Sequence, residues 1–417
     1  MKKIKNRLLG TNEKVFWVLD QKTTTQFAII AEIEENIDAQ AWRMALDMVQ
    51  KRHPSLSVQI SGNEYSEAHF QHVDHCPIPL KIIAMKDNSE SWNSIIEEEF
   101  RLPIDITVAP LVRAVLIQQL GQCIFMFLSN HSIGDGMSVA LTVRDILASI
   151  SGKAISRLTP ALPLDELAGV FSDKMDLGRL EGFEQAKNKA EPRTAVTISR
   201  HKLSGGLTKK LIGKSKIEGT TVHGALSAAI VLALKKLNPS TQKNSVRILH
   251  PLSARKTLSI GEAYGLYINI ATMAYNPPPE QSFWSLAKEI REGIAPLQTR
   301  DWIRGDIEAT AALFSNGLHA DHIEEALHQG TAHEIMLTNL GNLSLEPDFD
   351  SLKIKSLWGP MVLTPHATAQ TIGVATLNGE LTLTLTGLVP SGSLLKKVEE
   401  ILYEACCKSE DTASIKY

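Results

Sequence analysis

Residues Leu111–Ile150 read LVRAVLIQQL-GQ-CIFMFLS-NHSIGDG-MSVALTVRDILASI, and this stretch decides the fold. Leu111–Leu120 and Cys123–Ser129 are apolar runs of strand length, joined by Gly121-Gln122, so a hairpin is expected. Met137–Ile150 carries apolar residues at helical spacing. Between them lies Asn130-His131-Ser132-Ile133-Gly134-Asp135-Gly136, a polar cluster where a buried strand hands over to a helix. A strand end can present a histidine rigidly to a cleft, and histidine exchanges protons near neutral pH. Asp135 can orient the loop by pairing with a buried arginine, and glycine permits a tight turn. The helix N-terminus offers N–H groups where negative charge could develop. From spacing alone the segment is either a general-base site or a tight turn around a satisfied histidine, with Asp135 capping the helix.

Working outward, Thr25–Glu34 reads as a strand. Asp38 is the expected N-cap of a helix with apolar positions at Trp42, Ala45, Leu46 and Val49, which His53-Pro54 ends. Ser55–Ile60 reads as a strand and Asn88–Phe100 as a helix. Residues 175–195 are expected to be a linker between domains at 1–180 and 190–417. In the second half, Thr220–Leu237 and Ser393–Cys407 read as helices. Val246–Leu249, Ile268–Tyr275, Glu334–Leu337, Thr371–Leu377 and Leu381–Leu388 read as strands, with Asn378-Gly379 as a hairpin turn. Two mixed halves give an α/β class.

The bulk properties exclude several functions. The 417 residues suit two domains, and 43% hydrophobic with 21% charged residues is an ordinary globular composition. Net charge is -3, without the basic excess of a nucleic-acid binder. Cys76, Cys123, Cys406 and Cys407 form no CxxC pair and no disulfide framework, which fits a reducing compartment. Asn12, Glu13, Lys14 and Asp20 interrupt any signal-peptide core, and no apolar run of ~18 residues exists. A cytoplasmic protein without a transmembrane segment is expected.

The segment Asn130–Gly136 resembles the HHxxxDG motif of condensation domains and related acyltransferases: non-ribosomal peptide condensation domains, polyketide-associated acyltransferases, alcohol acetyltransferases and plant acyltransferases. Further stretches are similar in family order. Leu9–Trp17 looks like the opening segment, and Ile37-Asp38 through Arg52-His53-Pro54-Ser55-Leu56 like the first helix with its RHP-x-L ending. Pro110–Arg113 looks like the strand before the hairpin, Pro251–Arg255 like the arginine segment, and Gly265–Asn269 like a G-x-x-x-N strand start. Thr338–Gly341 looks like the SNLG element and Asn378–Leu381 like the late hairpin. The resemblance implies two similar chloramphenicol-acetyltransferase-like α/β domains in a V, with a tunnel at their interface. It implies His131 as general base, Asp135 and Gly136 as its motif partners, and Arg255 as the arginine that pairs with Asp135. It also implies a thioester donor, on coenzyme A or on a carrier protein's phosphopantetheine, and a small alcohol or amine acceptor, with no bound cofactor. The first motif histidine is Asn130 here, a departure shared by many O-acyltransferases, which favours ester over amide formation. Ser132, Asn269, Thr338, Asn339 and His366 are candidates for the tunnel wall.

Other features weigh less. His69, His72 and His75 with Cys76 could suggest a metal, but their spacing on an extended segment points them apart. Gly213-Lys214-Ser215 resembles the end of a P-loop, yet Thr208 stands where glycine is needed. No G-x-S-x-G elbow occurs. Lys209, Lys210, Lys214 and Lys216 are either a solvated helix face or a contact for coenzyme A phosphates or an acidic carrier. Trp358-Gly359-Pro360 could line the tunnel, and His223 is expected to be structural.

Overall fold

The computed structural model describes residues 6–20, 23–63, 66–85, 91–170, 195–238, 244–315, 320–343, 352–364, 366, 368–389 and 392–407. The expected linker lies outside them as far as residue 194. The chain folds into two α/β lobes, each built on its own mixed sheet. In the first lobe the strands run in the order Ile354–Val362, Gln26–Ile33, Gln122–Asn130, Val112–Gln119 and Leu80–Ala84. In the second lobe the order is Ile268–Tyr275, Val246–Ser253, Ile335–Asn342, Gln370–Leu377, Glu380–Gly387 and Thr197–Lys202. A small sheet joins Arg7–Leu8, Ser66–His72 and Val58–Asn63.

The central strands of the first sheet are buried on both faces, which is why they read as unbroken apolar runs. Along Gln122–Asn130, Cys123, Phe125 and Phe127 enter one core. Ile124, Met126 and Leu128 enter another, on the opposite face. This is the two-residue period of a pleated strand. The helices Ala39–Arg52 and Gly136–Ile150 cover the first face and pack on each other. Asn93–Arg101 covers the second through Ile96 and Phe100. In the other lobe, Val222–Leu237 packs between Phe283–Ile294 and Leu394–Cys407.

One strand crosses between the halves of the sequence. Ile354–Val362 pairs antiparallel with Gln26–Ile33, so the second half supplies an edge of the first lobe's sheet. The lobes are further tied by ion pairs. Asp145, on the motif helix, accepts from Arg52 Nε (2.6 Å) and Arg144 Nη2 (2.7 Å) and pairs with His53 Nε2 (2.9 Å). Arg52 and Arg144 also reach Glu262 across the interface. The Arg52-His53-Pro54 ending thus anchors the motif helix.

Two expectations need correction. The strand expected at Ser55–Ile60 begins as a 3-10 turn, Pro54–Ser57, with proline in its first turn, and becomes extended only over Val58–Asn63. The helix expected from residue 88 starts at Asn93 among the described residues. No single helix among the described residues is long and apolar enough to cross a membrane; one bent pair, Gly205–Ile217 and Val222–Leu237, passes on length and composition alone.

Candidate functional site

The hairpin strand ends at Asn130, and His131 opens the turn that leads to the motif helix. His131 N donates to Thr25 O (3.0 Å), extending the pairing one residue past the sheet. The imidazole stacks on Phe16 (centroids 4.2 Å, 11°) and leans on Phe27 (4.5 Å). Only 7% of His131 is exposed, and its Nδ1 is buried without a hydrogen-bond partner. Burial brings its pKa down to about 4, although the Asp135 charge and the nearby backbone of His131 and Gly134 oppose that shift. Near neutral pH the ring is therefore uncharged.

Asp135 is the N-cap of Gly136–Ile150, its Oδ1 accepting from Ser138 N (2.7 Å). The same carboxylate reaches the second lobe. Its Oδ2 accepts from Tyr267 N (3.0 Å), and its Oδ1 lies 3.2 Å from Arg255 Nη2. Ser138 Oγ accepts from Arg255 Nη2 (2.7 Å), and Arg255 Nη1 donates to Gly261 O (2.8 Å) and Ala263 O (3.2 Å). The guanidinium also sits 4.8 Å from the Tyr267 ring centroid. Asp135 thus caps the motif helix and fixes it to the other lobe.

The motif glycines serve a different purpose from the one expected. Neither Gly134 nor Gly136 has a positive φ. What they lack is room. A Cβ at Gly134 would stand 2.5 Å from the Tyr264 ring, and one at Gly136 2.7 Å from Pro360 Cγ. Tyr264 comes from the second lobe and donates its hydroxyl proton to Ser129 Oγ (2.7 Å), while Pro360 lies on the crossing strand. Asn130 holds the turn: its Oδ1 accepts from Ser132 N (2.9 Å) and from the Ser132 hydroxyl. Next to it, burial raises the Asp20 carboxyl to about 6 against the hydrogen bonds from Thr25.

His131 lines a cavity of ≈ 1080 Å³, counting the part open to solvent. The opening helix Thr11–Leu19 supplies Asn12, Phe16 and Leu19, and the second lobe supplies Pro251, Asn269, Asp306, His328 and His333. Of the tunnel candidates, Asn269 lines this cavity, whereas Ser132, Thr338 and Asn339 are not among the lining residues. Ser132 is fully buried, and Asn339 Oδ1 accepts from Gly341 N (2.8 Å). His366 is not among the lining residues either; its ring lies tilted against His328 (4.0 Å) and meets His333 edge-on (5.0 Å). Burial, then the neighbouring histidines, lowers its pKa to about 4. Phe16 and Asp306 went unread in the sequence. Phe16 sits in the opening segment, which showed resemblance but no chemistry, and Asp306 shares the helix Arg300–Ser315 with two other acids, Asp301 and Glu308, so nothing in the sequence singles it out.

The remaining candidates lie elsewhere. Among the described residues no group of three or more His, Cys, Asp or Glu could hold a metal ion. Lys209, Lys210 and Lys216 are exposed on Gly205–Ile217, and Lys214 is half-buried. Trp358 donates its Nε1 proton to Glu32 (3.0 Å), on the first lobe's sheet. His223 Nε2 meets His250 Nδ1 (2.9 Å), and His250 Nε2 meets Tyr275 Oη (3.1 Å). Since Leu249 and Pro251 line the cavity, His250, between them on the strand, faces the opposite side.

Two lobes around a cavity, with a histidine at a strand end and an aspartate–arginine pair bridging the lobes, define a protein of condensation-domain type. Residues 17–160 match the model of the condensation domain, and residues 192–386 the model described as phthiocerol/phthiodiolone dimycocerosyl transferase C-terminus. Between them the two models cover most of the chain, and they match the resemblance to condensation domains and polyketide-associated acyltransferases. Bacitracin synthase 3 of Bacillus licheniformis is 23% identical over 307 residues, which are 68% of this chain and 5% of that protein. The chain thus spans a small fraction of such relatives. Polyketide synthase associated protein 5 from Mycobacterium tuberculosis superposes with a TM-score of 0.65 at 17% identity, covering 96% of this chain and 98% of that one. The first condensation domain of the CDA synthetase gives 0.67 at 14% identity, covering 97% of each chain.

Proposed function

We propose that the protein transfers an acyl group from a thioester, carried by coenzyme A or by a carrier protein's phosphopantetheine, to an acceptor hydroxyl, with His131 as general base. The observation that carries this is an uncharged His131 facing a cavity between two lobes, its turn fixed from both sides by Asp135 and Arg255. The imidazole takes the hydroxyl proton as the oxygen attacks the thioester carbonyl. The tetrahedral oxyanion collapses, the C–S bond breaks, and the leaving thiolate takes the proton back from the imidazolium. The Asp135 charge favours that transient imidazolium. Holding both partners in one cavity supplies proximity. Asn130 in place of a first motif histidine supports ester formation.

Amide formation is the second reading, supported by the match of residues 17–160 to the condensation domain and the likeness to bacitracin synthase 3. The test is thiol release from a panel of acyl-CoAs and acyl-carrier proteins with alcohols and amines. Acceptor-dependent release should fall roughly 10²–10⁴-fold in His131→Ala, and product analysis separates ester from amide. Release that survives His131→Ala would remove the general base. Its absence with every pair would favour a silent relative that only binds carrier proteins.

A further inference from the structure

Asn269 and Asp306 face the same cavity as His131 and take no part in the steps above. Asn269 is only 2% exposed, and its Nδ2 donates to Asp306 Oδ2 (2.5 Å). That orientation leaves Asn269 Oδ1 buried without a hydrogen-bond partner. A buried acceptor atom without a donor is costly, and native structures keep few of them. The pair therefore presents an unfilled carbonyl oxygen beside a carboxylate, and both accept hydrogen bonds. Among the described residues that line the cavity, Asp306 is also the sole carboxylate, and none is a lysine or arginine. Burial raises the Asp306 pKa, against the hydrogen bond from Asn269, so the carboxylate gains from a cation placed beside it.

We propose that Asp306 and Asn269 form a subsite for an ammonium group on the acceptor, distinct from the hydroxyl that His131 deprotonates. The opening helix touches both sites. Phe16 stacks on His131, and Asn12, four residues earlier, donates to Ile268 O (2.9 Å), next to Asn269. Asp306, Asn269 and His131 line one cavity, so an acceptor that carries its amine and its hydroxyl on one chain reaches both sites. The acceptor class is then an amino alcohol. This assignment of the acceptor rests on the O-acyl reading, while the subsite itself is testable without turnover.

Calorimetric titration of the full chain, with no thioester present, compares aminohexanol and aminobutanol with hexanol and butanol. The amino alcohols bind more tightly by roughly 10- to 100-fold, the range of a charge-assisted hydrogen bond. Asp306→Asn keeps a partner for Asn269 and brings that ratio toward one; Asp306→Glu, which keeps the charge, holds it above one. Thermal melting of each variant shows that it is folded. Equal binding of the paired ligands by the unmodified protein, or a ratio unmoved by Asp306→Asn, overturns the subsite. So does a rise in KM for the acyl thioester alone, which would assign the pair to amide groups of a pantetheine arm. A binding preference without thiol release keeps the subsite and removes the O-acyl reading; release without preference does the reverse.

Discussion

The chemistry of His131 follows from where its ring is held. Between Phe16 and Phe27 it is shielded from water, and a charged imidazole there loses hydration that the Asp135 charge only partly replaces. A base with a pKa of about 4 is already deprotonated throughout the neutral range. The acid limb of kcat/KM for thiol release should therefore sit near pH 4 rather than at the ~6.5 of a free histidine. A profile from pH 4 to 8 checks this on enzyme shown to be folded at each pH, and a midpoint near 6.5 would mean a hydrated ring. Asp135 behaves differently, since three groups of the second lobe and the motif helix converge on it or on Ser138 beside it. Removing Arg255 leaves a carboxylate 1% exposed without its cation, and breaking a buried pair from one side costs roughly 3–5 kcal/mol. Urea denaturation of Arg255→Ala, Asp135→Ala and the double variant should show strong coupling. Additive losses would mean that the two residues act independently.

The motif helix, the element that places His131, is fitted closely to its neighbours. Gly136 faces Pro360 Cγ at 2.7 Å and Leu340 Cδ2 at 3.2 Å from where a Cβ would stand. Gly136→Ala should therefore cost roughly 1–3 kcal/mol as an overpacked contact and slow thiol release by shifting the turn. Gly213 is the contrast, inside Gly205–Ile217 with nothing within 4 Å of an added Cβ. Gly213→Ala should stabilise by roughly 0.5–1 kcal/mol, and chemical denaturation of the pair tests both signs. These elements were legible to different degrees for physical reasons. The hairpin and the motif helix announce themselves through local signals: doubly buried strands, a two-residue link, and an N-cap at Asp135. The crossing strand does not. Gly359-Pro360 interrupts its pattern, its register shifts between Trp358 and Met361, and its partner strand lies more than 300 residues away in sequence. The motif half of the site was readable because His131, Asp135 and Gly136 are adjacent, and Arg255 entered through a resemblance. Asp306 and the histidines around His366 gather only after folding, so no spacing marks them.

At the scale of the whole molecule, burial of histidines makes the stability of the two lobes depend on pH. Burial lowers the three histidines His131 and His223, to about 4, and His250, to about 2, with the neighbouring His223 adding to the last shift; His366, at about 4, and His333, also lowered, act in the same direction. In the unfolded chain all three take up protons near ~6.5. Between pH 6.5 and 4 the unfolded state therefore binds more protons at these sites, and stability falls as pH falls. Asp20 works the other way: raised to about 6 in the fold, it keeps its proton where the unfolded carboxyl has lost it. Set against the three histidines, its single proton leaves a net excess on the unfolded side near pH 5. Asp145 acts at lower pH. Burial favours its protonation, but the His53 and Arg144 hydrogen bonds and the arginine charges outweigh that and hold it below the usual range. Its contribution is lost only below the unfolded carboxylate value, outside the histidine window. Melting temperature should thus be level from pH 8 to 7 and drop between pH 6.5 and 4, with each net proton worth roughly 1.4 kcal/mol per pH unit. His250→Gln removes one of the three and should flatten the drop even if it lowers stability at pH 7, because Tyr275 and His223 lose a partner. A melting temperature that holds steady from pH 7 to 5, or an unchanged slope in His250→Gln, would mean that these histidines are hydrated in the folded protein.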